Sequence, residues 1–345
     1  LIDLVRLAED GRLPDALVRC GIRRELRERL QREAAGSWEQ QLEVLYRFAE
    51  RIGAEPIAVA TSTANEQHYE LPAAFFQTFM GPRLKYSSGY WPDPGTTPAE
   101  AEEAMLDLTC RRAGLEDGMR ILELGCGWGS LSLWMAERYP DAAITAVSNS
   151  GVQKAFIDAH ARPNLRVITA DMNTFATDQR FDRVVSVEMF EHMRNWPRLL
   201  QRISHWLKDD GRLFIHIFVH RCLAYLFTKP GTYSWMGEHF FKEGMMPSEA
   251  LLHVLNRHLF VEHCWRVNGR HYARTLHAWL DQFDRNAAEA RTILAGHHGV
   301  PDARVFFGRW RMFFMACEEL FAYRGGDEWY VAHYLLRKPS PTAIG

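Results

Sequence analysis

Arg120-Ile-Leu-Glu-Leu-Gly-Cys-Gly-Trp-Gly-Ser130 carries the clearest structural signal in the chain. Ile121 to Leu124 is a short apolar run of the kind that forms a buried parallel strand. It stops at three glycines in alternate positions, Gly125, Gly127 and Gly129. A helical pattern follows from Ser130 to Tyr139, with Leu131, Leu133, Trp134 and Met135 supplying apolar faces. Strand, glycine loop and helix in that order form the entry to a nucleotide-type binding fold. The glycines let the backbone turn tightly and approach a ligand with no Cβ between them.

The glycine spacing separates the candidate ligands. Dinucleotide binding uses G-x-G-x-x-G, and a P-loop uses G-x-x-x-x-G-K-[ST]. Here the loop is G-x-G-x-G and has no lysine for phosphates. A ligand with an amino-acid end fits better, its carboxylate set against N–H groups near the helix start. Glu123, a carboxylate inside an apolar strand, needs a partner, and an ammonium group would serve. S-adenosylmethionine carries both groups. The plainer alternative is an ordinary tight turn between strand and helix.

Beyond this segment, strands are expected at Ala143 to Val147, Leu165 to Thr169, Arg183 to Val187 and Arg212 to Val219, with helices at 129–139, 151–161 and 195–207. This alternation predicts a parallel sheet with right-handed crossovers. Thr97-Pro-Ala-Glu100 is a capping box with proline at the first helical position, opening a helix that runs to about Ala113. Upstream, residues 1 to about 60 read as amphipathic helices. After 219 the rhythm breaks at Pro230-Gly231 and Met245-Met-Pro247, as an inserted helical lid would. A strand at Leu259 to Val267, helices at 271–290 and 301–323, and a closing strand at Glu328 to Arg337 complete the chain. The expected division is a helical cap with a covering loop (1–96), a core (97–219), a lid (220–258) and the remaining core with substrate-side helices (259–345).

Strand four leads into Ser186-Val-Glu-Met-Phe-Glu-His192, placing Glu188, Glu191 and His192 at i, i+3 and i+4. If a helical turn starts there, all three point the same way, and two carboxylates with an imidazole beside one cleft form an acid–base set. A solvated first helical turn, where acids favour the dipole, is the bland alternative. Ser148-Asn149-Ser150 with Gln153 stands where a ribose is held, and Asp171-Met172 where adenine is read. The stripe Phe306, Trp310, Phe313, Phe314, Cys317 and Phe321 has the spacing of a helix core. Near a site, it would also suit a flat or cationic substrate.

Basic and acidic residues number 41 and 43, so no positive footprint points to nucleic acid or an anionic membrane. Six scattered cysteines with no C-x-x-C pair fit neither a disulfide framework nor a zinc site, and no metal is expected from the histidine spacings. No run approaches the ~20 apolar residues of a spanning helix. A cytoplasmic protein is the expectation, and a homodimer is compatible with the sequence.

Asn65-Glu-Gln-His-Tyr-Glu70, Lys85-Tyr-Ser87, Leu124-Gly-Cys-Gly-Trp-Gly-Ser130, Ser186-Val-Glu-Met-Phe-Glu-His192 and Glu328-Trp-Tyr-Val-Ala-His-Tyr334 together resemble the class I S-adenosylmethionine methyltransferases. More narrowly, they resemble the coclaurine N-methyltransferase branch of the cyclopropane-fatty-acid-synthase-like superfamily. The resemblance implies an α/β, Rossmann-like, seven-stranded and mostly parallel sheet whose last strand is antiparallel. It implies methylation of a small amine, with S-adenosyl-L-homocysteine as the second product. It places methyl-donor contacts at Tyr86, Ser87, Glu123, Gly125, Cys126, Gly127, Gly129, Asn149, Gln153, Asp171, Met172 and Glu188. Catalytic roles fall on Glu70, Glu188, Glu191 and His192, with Glu188 supporting the histidine. Tyr69, His216, Trp310, Phe313 and Trp329 fall on the substrate side. The lipid cyclopropane synthases share Glu191 and His192, and His216 falls where they hold a bicarbonate. They carry glycine at the Glu188 position and Tyr-Ser-Cys where this chain has Tyr86-Ser-Ser88. Both departures favour the amine branch over a lipid methylene transferase, and the intact acid–base cluster argues against a donor-binding regulator without catalysis.

Overall fold

Apolar residues on both faces of a strand bury it from two sides, and β1 (Arg120–Leu124) shows this, with Ile121, Leu122 and Leu124 fully buried. In the computed structural model, which describes residues 4–34, 36–59, 71–160, 162–227 and 234–339, β1 lies third in a seven-stranded sheet. The other strands are β2 (Ala143–Ser148), β3 (Leu165–Thr169), β4 (Phe181–Val187), β5 (Leu207–His220), β6 (Phe260–Val267) and β7 (Trp329–Arg337). Their order is β3-β2-β1-β4-β5-β7-β6. β7 runs antiparallel to both neighbours, while β1 to β5 pair in parallel.

Chain order reverses between β1 and β4, and the carboxyl ends of these two strands open the crevice in which ligands of such sheets sit. Register brings Leu124 beside Ser186 and Val187 beside His216, so the glycine loop and the Glu188 turn emerge on one edge. Thr97 and Glu100 form the expected reciprocal cap, and Pro98–Ala113 ends at Gly114 in the left-handed conformation.

Several boundaries differ from the sequence reading. β5 begins at Leu207, five residues before the expected start at Arg212. Lys208-Asp-Asp-Gly211 reads as a turn, yet Leu207 pairs with Phe181 across a bulge. The helix expected over 271–290 is two, Gly269–Arg285 and Ala287–Ala295. They part at Asn286, whose amide donates to the Thr78 carbonyl at 2.8 Å. The segment after β5 mixes short helices, Trp235–His239 and Leu251–Val254, with a ribbon pairing Tyr225–Leu226 to Met245–Met246. Asp15–Glu33 packs on Ala303–Ala322, where Arg19 donates to Glu318 at 2.7 Å and to Glu319 at 3.0 Å. Among the described residues no helix is long and apolar enough to cross a membrane.

Candidate active site

Two cavities meet at the carboxyl end of the sheet. The first is a cleft of about 1090 Å³, counting its open mouth. It is lined by Lys85, Tyr86, Ser87, Glu123, Gly125, Cys126, Gly127, Asn149, Gln153, Met172, Glu188 and His192, among others. All three loop glycines have positive φ. A Cβ on Gly125 would lie 2.6 Å from the Met189 side chain, and one on Gly129 would lie 2.7 Å from Ile157. At Gly127 a Cβ would meet nothing within 4 Å, so the loop leaves open space there. The N–H groups of Gly125 and Cys126 both donate to the Val147 carbonyl. Gly129 caps the helix Ser130–Arg138 and does not line the cleft.

Glu123 is 2% exposed, and the Ser132 hydroxyl donates to it. Burial pushes its carboxyl up to about 8, against the Ser132 hydrogen bond. Such a carboxylate is prepared for a cation from outside the protein. Gln153 is buried rather than a surface residue, and the Ser148 hydroxyl donates to its side-chain oxygen at 2.8 Å. Asp171 turns away from the cleft and accepts from the Asn173 N–H at 2.7 Å, while Met172 faces in. Lys85, which the residue-by-residue reading of the sequence does not single out, is wholly buried in the cleft wall. It donates to the Ser87 hydroxyl and, at 2.8 Å, to the Ser88 carbonyl, and burial brings its ammonium down to about 8.

The second cavity, about 800 Å³, is aromatic, with Phe218, Phe227, Phe240, Phe241, Trp279, Phe313 and Phe321 in its wall. Tyr86, Glu188 and His192 line both cavities and so stand at their junction. The Tyr86 ring stacks on Trp279 with centroids 5.6 Å apart, and the His192 ring lies flat against Phe241, also at 5.6 Å.

Glu188 has φ +47°, a strained left-handed conformation for a residue with a side chain. Its Oε2 accepts from the Tyr272 hydroxyl at 2.6 Å, and its Oε1 lies 3.2 Å from His216 Nε2. Burial pushes its carboxyl up to about 7, while the Tyr272 hydrogen bond and the Lys85 charge act against that rise. Burial takes His192 down to about 4, with Glu188 opposing, so at neutral pH the ring is uncharged.

The expected shared orientation of Glu188, Glu191 and His192 is not what forms. Only Phe190–His192 makes a turn, and it is of the 3₁₀ type. Glu191 is fully buried and lines neither cavity. Its Oε1 accepts the Phe218 N–H at 3.1 Å, and its Oε2 has no partner among the described residues. Burial drives its carboxyl well above the usual range. Glu188 supports His216 by hydrogen bond, and acts on His192 through charge alone. On the substrate side Phe313 lines the aromatic cavity. Trp310 is packed in the aromatic core behind it. Trp329 is buried, donating to the Tyr225 hydroxyl at 3.2 Å, and His216 stands behind Glu188. Tyr69 and Glu70 lie outside the described residues.

The family described as mycolic acid cyclopropane synthetase matches residues 59–329. (S)-coclaurine N-methyltransferase of Papaver somniferum is 35% identical, over 97% of this chain and 98% of its own. Pavine N-methyltransferase of Thalictrum flavum subsp. glaucum is 32% identical, over 97% and 96%. The crystal structure of a coclaurine N-methyltransferase bound to N-methylheliamine and S-adenosylhomocysteine superposes with a TM-score of 0.93 at 33% identity. That match covers 98% of this chain and 99% of the other.

S-adenosylmethionine is the cofactor, and the cleft fits it. The open space at Gly127 leaves room for its backbone-proximal part, and the buried Glu123 carboxylate suits its ammonium group. The fold, the glycine loop and these relatives together place the chain in the cyclopropane-fatty-acid-synthase-like family, on its coclaurine N-methyltransferase-like branch, as an S-adenosylmethionine-dependent methyltransferase.

Proposed function

We propose that the enzyme methylates the nitrogen of a small amine with an aromatic portion, of the tetrahydroisoquinoline or arylalkylamine class. One observation carries this reading: Tyr86, Glu188 and His192 line both cavities, so a group passing from the polar cleft to the aromatic cavity meets them. The relatives named for coclaurine and pavine support the substrate class.

When bound, S-adenosylmethionine supplies a methyl group on a positively charged sulfur. Glu123, Tyr86, Ser87, Asn149, Gln153 and Met172 hold the donor. The aromatic wall excludes water and favours a cation through the faces of Tyr86, Trp279 and Phe241. An amine attacks only when uncharged, so its proton must leave. His192, held neutral, keeps one ring nitrogen free of a proton and accepts the amine N–H there. Glu188, fixed by Tyr272 and His216 and titrating at about 7, is the stronger base, takes the proton and holds the nitrogen in line. Glu191 holds the turn by accepting the Phe218 N–H, and acts from behind the site rather than on the amine. Alignment supplies the larger share of the acceleration, and proton transfer adds ~10²–10⁴.

The test is to incubate the protein with methyl-labelled donor and a panel of tetrahydroisoquinolines, arylalkylamines and phospholipid vesicles. Label should appear as an N-methyl group on an amine. Label in lipid alone, or none transferred, would overturn the proposal.

A further inference from the structure

Behind Glu188 a line of hydrogen bonds crosses the sheet away from both cavities. His216 on β5 and His333 on β7 are direct register partners, and both are fully buried. His333 Nε2 lies 2.9 Å from His216 Nδ1, and His216 Nε2 lies 3.2 Å from Glu188 Oε1. At the far end Arg112 Nη1, on the helix Pro98–Ala113, lies 2.9 Å from His333 Nδ1. The Arg112 guanidinium also covers the face of Trp265 at 5.2 Å and remains partly exposed. We infer that Arg112 and His333 are positioning residues of the methyl-transfer site, which set the ring proton of His216 and through it hold Glu188 at the junction.

The direction of every bond follows from the first. A guanidinium has donors and no acceptor, so His333 Nδ1 accepts from Arg112. A neutral imidazole carries one proton, and that of His333 is therefore on Nε2, where it donates to His216 Nδ1. The proton of His216 is then on Nε2 and donates to Glu188. Burial, with Lys85 and Arg112 nearby, keeps both rings uncharged, which supports one proton per ring. With the opposite tautomer, His216 would turn a bare nitrogen toward a carboxylate oxygen inside the protein. Two acceptors would then face each other without water, and Glu188 would have to take a proton or leave its place.

The same directionality excludes a second role. Each link donates toward Glu188, so a proton taken from the amine has no exit along this line unless both rings reverse. The line orients the carboxylate and does not drain it.

The kinetic arm of the test rests on the proposed amine methylation, and the spectroscopic arm does not. Protein labelled with ¹⁵N in its histidine rings is compared with His333→Gln, His216→Gln, Arg112→Met and Arg112→Lys. In the unsubstituted protein the signals lost in His333→Gln and in His216→Gln should each show a protonated Nε2 and a bare Nδ1. Arg112→Met should lose this pattern and reduce turnover about tenfold or more, with S-adenosylhomocysteine affinity within a few-fold and the melting temperature retained. Arg112→Lys, which keeps a donor, should restore both readouts. A proton on Nδ1 of either ring would overturn the inference, as would an Arg112→Met protein with unchanged tautomers and turnover. If no amine in the panel is methylated, the functional reading fails, while the nitrogen signals still decide the relay. Where His333→Gln does not fold, Arg112→Met and His216→Gln decide the same question.

Discussion

The two cavities that meet at Glu188 and His192 are assembled in opposite ways. The donor cleft comes chiefly from the ends of β1, β2 and β4 and the loops that leave them, in a run from Glu123 to His192, with Leu84 to Ser87 laid across it. Its chemistry is in backbone turns and single polar groups. The acceptor cavity is gathered from the end of β5, the segment after it, and two helices near the C-terminus, Gly269–Arg285 and Ala303–Ala322. Its chemistry is in the faces of aromatic rings. A donor common to many enzymes can be held by a short, locally specified frame. An acceptor that differs from one enzyme to the next is shaped by side chains whose exchange leaves that frame intact.

Substitutions should separate the two cavities and the junction between them. The largest effect is expected where both share residues. His192→Ala and Glu188→Gln should each cut kcat by ~10²–10⁴, with S-adenosylhomocysteine affinity within a few-fold of the parent by calorimetry. A parent-like kcat in both would remove the junction from the chemistry. Next comes the donor frame. Gly125→Ala forces a side chain into φ +77° and against Met189 at 2.6 Å. A free loop that relieves about 2–3 kcal/mol of strain must take it up again to hold the donor, which weakens affinity by about 30- to 150-fold, and unchanged affinity would show that Met189 yields freely. On the acceptor side, Phe241→Ala removes the ring under His192. The Michaelis constant for the amine should rise by about tenfold, the loss expected from one aromatic contact, while donor affinity stays constant. A change in donor affinity instead would mean that the cavities do not act separately.

The same contrast governs what is legible in the sequence. β1, its glycines and the capping box at Thr97 are contiguous signals, and they form with boundaries within a residue of those expected. The acceptor wall has no contiguous signal. Phe313 and Phe314 are neighbours in one helical stripe, yet only Phe313 faces the cavity, while Phe314 is fully buried in the core. Which of them meets the substrate depends on helices packing across the molecule. The Glu188–His192 segment departs from its expected geometry for a local reason. The i, i+3, i+4 spacing assumes α-helical turns, but a left-handed Glu188 and a 3₁₀ turn rotate Glu191 away from the cleft. His333 sits plainly in the alternation of the closing strand. Its partner His216 lies 117 residues away, so only strand pairing reveals the relay.

The smallest effect tests the claim that the donor cleft holds a carboxylate awaiting a cation. In the folded protein Glu123 keeps its proton up to about pH 8, whereas an ordinary glutamate releases it near 4.5. Between those values the folded state binds a proton that the unfolded chain has lost. The stability this contributes is complete below about pH 4.5 and is lost as pH rises toward 8. One proton changes the unfolding equilibrium by at most about tenfold per pH unit, or roughly 2 °C of melting temperature for a chain of this size. Buried neutral histidines such as His192 impose the opposite slope, but only below the ordinary histidine value of 6.5. Glu188 titrates in the same direction as Glu123 up to about pH 7, and it cancels when the parent is compared with Glu123→Gln. Melting curves of the ligand-free proteins between pH 6.5 and 8 should therefore fall more steeply for the parent than for Glu123→Gln. Parallel curves would mean that Glu123 is already ionised without its ligand, and that the cleft has a cation of its own.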